Sequence, residues 1–307
     1  MKTLALIGEC MIELNGEPFG TMRQTYGGDS LNTATYLARV APPDAVRVHY
    51  LTALGDDPLS RGMKARWQAD GIDTCHVLTD PARQPGLYLI QLDAAGERTF
   101  LYWRNQSAAR YLLQHPGWLQ LDAALEHFDA IYLSGISLAI LPPADRERLT
   151  DRLAACAAQG VQILFDGNYR PALWKDPAET RTAYARLLPH VQLALMTWDD
   201  EQALWGDADP EAAIRRLQQA GVREIVLKNG AAGATYATGD TRHHIPAERV
   251  EHIVDTTAAG DAFNAGYLAA RLQGADPVTS CKNGNRLAAR VIQYKGAIIA
   301  AEHSRLS

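Results

Sequence analysis

Short apolar runs alternate along the chain with longer segments whose apolar positions recur every three or four residues. Segments of the second kind, such as residues 145–160 and 209–221, have helical spacing and end in glycine. The runs that we predict to be β-strands are TLALIG (3–8), RVHYLTAL (47–54), AIYLSG (130–135), VQILFDG (161–167), LALMT (193–197) and EIVLKN (224–229). This alternation predicts an α/β fold in which helices cover both faces of a mostly parallel sheet.

Two segments depart from this rhythm. Residues 9–27 and 85–104 alternate apolar with polar positions around the turn signals NGEPFG and DAAGE, which predicts two hairpins of a small antiparallel sheet. Ligands of parallel sheets bind at the carboxyl ends of the strands, and a small sheet above that edge would exclude water. We therefore expect one domain over residues 1–307, with these two segments inserted as a lid.

Composition limits the classes of function. The chain has 307 residues, 47% of them hydrophobic and 21% charged, with a formal net charge of −5, which excludes a disordered chain and indicates no basic face for nucleic acid. No apolar stretch approaches the roughly 18 residues that span a bilayer, so we expect no membrane partner. The first apolar run is interrupted by Glu9 and lacks a small-residue cleavage site, which predicts the first strand of a cytoplasmic protein. The four cysteines are far apart, as expected of reduced thiols.

The stretch DTTAAGDAF (255–263) leads into a helical segment and carries the most specific chemistry. A helix start with small side chains presents free backbone N–H groups to a phosphate. Asp261 in that first turn could simply favour the positive end of the helix dipole. A carboxylate repels a neighbouring phosphate, however, so its presence also suits a base that accepts a proton from an attacking hydroxyl.

At this point the sequence resembles a known family. DTTAAGDAFNAGY is similar to the C-terminal signature of the PfkB (ribokinase-like) sugar kinases, usually D-T-x-G-A-G-D, and YGGDSLNTATYLARV (26–40) resembles their N-terminal signature. ERTFLYWRNQSAA (97–109) and FDGNYRPALW (165–174) are similar to segments of the family's sugar-acid kinases. The resemblance covers essentially the whole chain, and it implies a ribokinase-like fold and ATP-dependent phosphorylation of the terminal hydroxyl of a sugar acid.

The resemblance assigns roles around the C-terminal signature. Asp261 matches the catalytic general base, and Ala258, Ala259 and Gly260 match the anion hole for the γ-phosphate. Ala258 replaces the first glycine of the family pattern. An alanine at positive φ would cost on the order of 1 kcal/mol, so we expect a backbone conformation here that tolerates a Cβ. Asp255 and Thr257 match positions where some relatives bind a monovalent cation.

Substrate binding is expected to involve both signatures, the lid and one sheet end. The residues that the resemblance implies are Gly28, Asn32, Tyr88, Tyr102, Arg104 and Arg170. Two guanidinium groups would bind the carboxylate that distinguishes a sugar acid from a neutral sugar. The alternatives are a solvated strand charge for Arg104, cross-strand packing for the two tyrosines, and a plain helix start for Gly28 and Asn32.

ATP and Mg²⁺ are the expected cosubstrate and metal. The resemblance places the ATP-binding residues at Asn168, Arg170, Lys228, Gly230, Gly233, Gly260 and Asn285, although a glycine-rich turn is often only a hairpin. Asp200 is expected to hold Mg²⁺ through water, with Glu201 as the adjacent alternative. Lid sheets of this family often pair between subunits, and the apolar positions Leu89 and Leu101 indicate a homodimer.

Two other functions fit part of the pattern. A kinase for a neutral sugar such as fructose would keep both signatures, and preference for a neutral sugar would separate it from the sugar-acid kinase. A non-catalytic sugar-acid sensor would bind the acid without ATP turnover, which the presence of Asp261 disfavours. A nicotinamide dehydrogenase is a poorer fit, because LALIGECMIEL lacks the G-x-G-x-x-G turn after its strand.

Overall fold

The computed structural model describes residues 1–92 and 98–304 and contains two β-sheets. The turn signal at 93–97 lies outside the described residues. The strands in chain order are β1 (Lys2–Ile7), β2 (Met11–Gly16), β3 (Met22–Gly27), β4 (Val46–Gly55), β5 (Val77–Asp80), β6 (Leu87–Leu92), β7 (Arg98–Trp103), β8 (Ala130–Ser134), β9 (Gln162–Asp166), β10 (Leu193–Thr197), β11 (Glu224–Lys228), β12 (Ala234–Thr238) and β13 (Thr241–Ile245).

The larger sheet has nine strands in the order β13-β12-β11-β10-β9-β8-β1-β4-β5. Its strands from β11 to β5 are parallel, and β12 and β13 add an antiparallel edge. All six predicted strands form part of it, and the α/β fold class is confirmed. The interior strands are buried on both faces, which explains why they appear in the sequence as unbroken apolar runs.

Helices cover both faces of this sheet. Their bounds are α1 (Asp29–Val40), α2 (Pro58–Ala69), α3 (Trp118–Ala124), α4 (Gly135–Ala139), α5 (Pro143–Ala158), α6 (Pro177–Leu187), α7 (Trp198–Trp205), α8 (Pro210–Gln219), α9 (Ala259–Arg271), α10 (Pro277–Val291) and α11 (Ala301–Ser304). One core contains residues of α5, α6 and α8, and the other contains residues of α1, α2, α9 and α10. None of the described helices combines the length and the apolar character needed to cross a bilayer.

Four of these helices begin with the same local device. An aspartate N-cap accepts backbone N–H groups of the first turn, and the proline that follows is already restricted to the helical φ. The capping residues are Asp57, Asp176, Asp209 and Asp276 at the starts of α2, α6, α8 and α10. The helix starts of α1 and α9 differ, because their N-cap residues are Gly28 and Ala258, which have no polar side chain.

The smaller sheet has the strand order β3-β2-β6-β7. Both predicted hairpins form, with Tyr88 opposite Tyr102 and Leu89 opposite Leu101. The prediction of an antiparallel sheet is wrong at one place, because β2 and β6 pair in parallel. β2 and β6 are the first strands of the two hairpins. The hairpins lie side by side through these two strands, which run in the same direction.

Candidate active site

Two buried carboxylates and one half-buried carboxylate, that of Asp29, gather at the carboxyl edge of the large sheet. Asp166 ends β9, Asp29 begins α1, and Asp261 lies in the first turn of α9, which packs against α1. The Asn32 side-chain amide donates a hydrogen bond of 2.9 Å to Asp261 Oδ2. The two family-like signatures, 229 residues apart at these positions, therefore meet through one hydrogen bond.

The environment of Asp261 changes its acidity. Burial and the negative charge of Asp29 raise the pKa of Asp261 to about 8, against the hydrogen bond from Asn32 and the charge of Lys228. Burial also raises the pKa of Asp29. A carboxyl group that titrates near neutral pH is suited to accept a proton during a reaction.

Lys228 lies beneath this group of carboxylates. Its Nζ atom is 2.9 Å from Asn264 Oδ1 and 3.5 Å from Asp166 Oδ1, and the Asn264 amide donates to Asp166 Oδ2 at 2.8 Å. A Cβ built on Gly260 would lie 3.7 Å from the same Nζ atom. Lys228 is therefore buried beside the first turn of α9, next to Gly260.

The loop before α9 has the conformation that its alanine allows. Ala258 has φ −116° and ψ 25°, outside the positive-φ region, so the expectation that this position tolerates a Cβ is confirmed. Ala258 cannot cap α9 with a side chain, and of the first residues Ala259 donates its N–H to the Thr256 carbonyl at 3.2 Å, which leaves the Gly260 N–H available to an external acceptor. The departure from the family's glycine leaves an anion site possible at Ala258, Ala259 and Gly260.

The start of α1 is fixed by two close approaches. A Cβ on Gly28 would lie 2.1 Å from the Glu9 carbonyl oxygen, so only glycine fits there. Asn168 adopts φ 34°, which is uncommon for a residue with a side chain, and donates a 2.7 Å hydrogen bond to Asp29 Oδ2. Asn168 thus contacts the acid at the start of α1.

Two tyrosines of the smaller sheet lie opposite each other, and one of them has two arginines as electrostatic neighbours. The Tyr88 and Tyr102 rings are 5.9 Å apart between centroids, and Tyr88 Oη donates a hydrogen bond to Glu13. Burial raises the pKa of Tyr102, while the positive charges of Arg104 and Arg170 oppose that rise. Both guanidinium groups therefore act electrostatically on the same hydroxyl.

The two arginines differ in their partners. Arg104 forms a buried ion pair with Glu9, so the alternative of a solvated strand charge is wrong. Arg170 is more open, with 52% of its side chain exposed, and its Nη1 atom is 3.2 Å from Asp200 Oδ1. Arg104 is thus positioned by a fixed carboxylate, whereas Arg170 is able to reach a ligand.

The predicted metal residue Asp200 faces the site and Glu201 does not. Burial raises the pKa of Asp200, Arg170 opposes the rise, and Asp166 is close enough to contribute. Glu201 instead accepts a 2.6 Å hydrogen bond from Arg216, and burial raises its pKa to about 7. Asp200 and Asp166 are oxygen donors of the kind that Mg²⁺ and its bound waters prefer.

The remaining predicted residues lie farther along the edge. Gly230 and Gly233 form the turn between β11 and β12, where Gly233 has φ 98° and no space for a Cβ. Asn285 donates a 2.9 Å hydrogen bond to the Pro246 carbonyl. Asp255 accepts hydrogen bonds from the Thr257 hydroxyl at 2.6 Å and from the Gly296 N–H at 2.9 Å.

The sequence analysis did not select several polar residues that the structure places here. They are Glu9, Asp29, Asp166 and Asn264. Glu9 and Asp166 each stand at or just after the carboxyl end of a predicted parallel strand, which was the available signal. Asp29 and Asn264 stand in or near a helix start, where polar residues are common for local reasons.

Comparison with known proteins identifies the class. The profile of the pfkB family carbohydrate kinases matches residues 1–304, so the chain belongs to this family. It is 54% identical over 302 residues to the 2-dehydro-3-deoxygluconokinase of Haemophilus influenzae, covering 97% of this chain and 96% of that protein. It is 48% identical over 304 residues to the 2-dehydro-3-deoxygluconokinase of Dickeya dadantii, covering 98% of each.

The fold comparison agrees with this family. The PfkB protein from Polaromonas sp. JS666 is 27% identical and superimposes with a TM-score of 0.82, covering 98% of both chains. Aminoimidazole riboside kinase from Salmonella enterica, solved with aminoimidazole riboside and an ATP analog, has a TM-score of 0.80 at 24% identity, covering 98% of this chain and 96% of its own. The ribokinase-like fold is therefore shown over nearly the whole chain.

Proposed function

We propose that this protein transfers the γ-phosphoryl group of ATP to the terminal hydroxyl of 2-keto-3-deoxygluconate (2-dehydro-3-deoxygluconate), giving 2-keto-3-deoxy-6-phosphogluconate. The observation that carries the proposal is the buried Asp261 carboxyl, with its raised pKa, in the first turn of a helix that lacks a side-chain cap. The two relatives named above, at 54% and 48% identity, support this substrate.

Asp261 is the general base of the proposed reaction. It accepts the proton of the substrate hydroxyl as that oxygen bonds to the γ-phosphorus, while the bond from this phosphorus to the β,γ-bridging oxygen breaks and ADP leaves. The N–H groups of Ala258 and Gly260 would stabilise the charge on the transferring group, joined by that of Ala259 once its 3.2 Å hydrogen bond to the Thr256 carbonyl is exchanged for the phosphate. Asn32 holds the carboxylate in place through its 2.9 Å hydrogen bond.

ATP and a divalent metal complete the proposed site. Mg²⁺ neutralises phosphate charge, and Asp200 would hold it through water. The nucleotide would lie along the edge that carries Gly230, Gly233 and Asn285, with Arg170 and Asn168 between it and the substrate. Lys228, whose Nζ atom lies beside Gly260, would support the residues that bind the phosphate. We further propose Asp255 and Thr257 for a monovalent cation.

The acid end of the substrate is proposed to meet the two arginines. The charges of Arg104 and Arg170 both lower the pKa of Tyr102, so a carboxylate beside that hydroxyl would be attracted by two positive charges. Tyr88 extends the same face, while Gly28 and Asn32 would contact the sugar hydroxyls near Asp261. This arrangement favours a sugar acid over a neutral sugar.

The lid and the assembly are also proposals. Residues 1–307 would form one kinase domain, in which 9–27 and 85–104 close over the substrate. Of the two leucines expected on the exposed face, Leu89 is buried, whereas Leu101 is 40% exposed and Trp103 on the same strand face is 58% exposed, which supports pairing of lids in a homodimer.

A coupled ATPase assay with a panel of acceptors tests the proposed function. We expect the highest kcat/KM with 2-keto-3-deoxygluconate, and much lower values with fructose, ribose and a nucleoside. A preference for any neutral sugar would contradict the arginine argument, and binding of the acid without turnover would indicate a sensor.

The pH dependence of kcat/KM should report the titration of the Asp261 carboxyl group. We expect activity to rise with pH through an apparent pKa near 8, because Asp261 must lose its proton to act as a base. Asp29→Asn removes a negative charge that raises this pKa, so the rising limb should move to lower pH. Glu248→Gln, in an exposed ion pair, is the control. An unmoved limb in Asp29→Asn would remove Asp29 from this role.

A further inference from the structure

A group of metal-ligating side chains lies away from the carboxylates. His49 on β4 is near Cys75 and His76, which precede β5, and ligand atoms of the three side chains lie within 4.8 Å of one another. Cys75 Sγ is 3.9 Å from His49 Nδ1. No other group of this kind was found among residues 1–92 and 98–304.

This group is separate from the kinase site. The His49 ring packs against Phe128 with 5.1 Å between ring centroids, and Phe128 precedes β8 at the amino ends of the strands. Asp166 and the other carboxylates lie at the carboxyl ends. The reaction proposed above therefore gives no role to His49, Cys75 or His76.

The backbone holds the three residues together without a ligand. Asp73 donates its N–H to the Val48 carbonyl at 2.8 Å, and its carbonyl accepts the Tyr50 N–H at 3.1 Å, so it pairs on both sides of His49. Asp73 Oδ1 accepts the Cys75 N–H at 2.9 Å. A 3.1 Å hydrogen bond from Val77 N–H to the Thr74 carbonyl closes the turn that contains Cys75 and His76.

The side chains have suitable chemistry. Burial lowers the pKa of His49 and of His76, so both imidazoles are neutral at pH 7 and have a free lone pair. Cys75 is exposed, whereas Cys10, Cys156 and Cys281 are buried. Two imidazoles and one thiol form a donor set that zinc binds well.

We propose that His49, Cys75 and His76 bind one zinc ion, with water or the Asp73 carboxylate as the fourth ligand. The zinc–sulfur bond forms as the thiol loses its proton to water. Because a free thiol is protonated at neutral pH, each zinc ion bound there releases one proton. The ion would fasten β4 to the turn that leads into the edge strand β5.

Cobalt(II) titration of the chelator-treated full chain, without nucleotide, tests the site. We expect a thiolate-to-cobalt charge-transfer band in the near ultraviolet that Zn²⁺ abolishes by displacement. Cys75→Ser should lose the band. Loss of a residue that only supports a metal ligand weakens metal binding by about 10- to 100-fold, and loss of the ligand itself should weaken Zn²⁺ binding by at least as much. His76→Ala should weaken binding similarly, and His127→Ala, an exposed histidine beside Phe128, should not.

Thiol alkylation gives an independent readout. Iodoacetamide should modify Cys75 in the metal-free protein, and Zn²⁺ should protect it. Cys75→Ser should retain kinase activity, since the residue is exposed and remote from Asp261, so folding of this variant can be checked directly. Equal Zn²⁺ affinity in Cys75→Ser, or a cobalt spectrum without the charge-transfer band, would overturn the proposal and indicate binding to carboxylates.

Discussion

Asp261→Asn is expected to lower kcat by about 10²- to 10⁴-fold, the range of a lost general base, with the KM for ATP little changed. Asparagine preserves the shape of the side chain but cannot accept the proton of the attacking hydroxyl. The N–H groups at the start of α9 and the Asn32 contact both remain. Single-turnover kinetics with 2-keto-3-deoxygluconate would measure the effect, and turnover near that of the parent would remove Asp261 from the role of base.

The pH dependence of the stability of Asp261→Asn distinguishes a loss of catalysis from a loss of folding. The pKa of Asp261 is about 8 in the folded protein, and an unperturbed aspartate has about 3.9. Its contribution to the free energy of unfolding is therefore fully present below about pH 4 and is lost as pH rises through about 8. The asparagine of the variant does not titrate and has no such loss. Thermal unfolding should therefore show the variant gaining stability relative to the parent between about pH 5 and 8.

Removal of the Arg104 charge is expected to give the second large effect. The pair that would be lost is the one between Arg104 and the carboxylate of the bound sugar acid. Loss of one partner of a buried, hydrogen-bonded charge pair costs about 2–5 kcal/mol, which corresponds to roughly 30-fold or more in kcat/KM for the sugar acid. Arg104→Gln alone would leave Glu9 buried without its cation. The variant to assay is therefore Glu9→Gln/Arg104→Gln, in which two neutral side chains keep a hydrogen bond.

The control for this experiment is a neutral acceptor. If Arg104 binds the carboxylate, the double variant should lose activity toward 2-keto-3-deoxygluconate far more than any residual activity toward fructose, and the KM for ATP should stay the same. Glu9→Gln alone should have the smaller effect, because it leaves the guanidinium in place. Equal losses with acidic and neutral acceptors would show that Arg104 has only a structural role.

The strands that are buried on both faces of the large sheet were predicted from the sequence, and the strands at the edges of this sheet were not. The interior strands are mostly apolar, because helices cover both of their faces. β5 has only four residues, and β13 is a mostly exposed strand with the sequence TRHHI, so neither has a clear apolar pattern. The parallel contact between β2 and β6 depends on how two hairpins stand side by side, which no local signal encodes.

The site was predictable only in part, for a similar reason. Asp261 and Asn32 stand in recognisable signatures, and the structure joins them directly. The contacts that Lys228 and Asn168 make with Asp166 and Asp29 could not be predicted from the sequence. Whether a polar side chain at a strand end points outward or under a neighbouring loop is decided by tertiary packing.

The contact between Gly28 and the Glu9 carbonyl gives the β2–β3 hairpin a narrow neck. The two ends of the hairpin meet at a spacing with no room for a single carbon atom, while Phe19 at the far tip is fully exposed. Changes of length at the tip therefore leave the neck and the start of α1 where they are. Because β2 also pairs with β6, the base of the hairpin is fixed from two sides, and we expect length variation to be tolerated at the tip and not at residues 9 and 28.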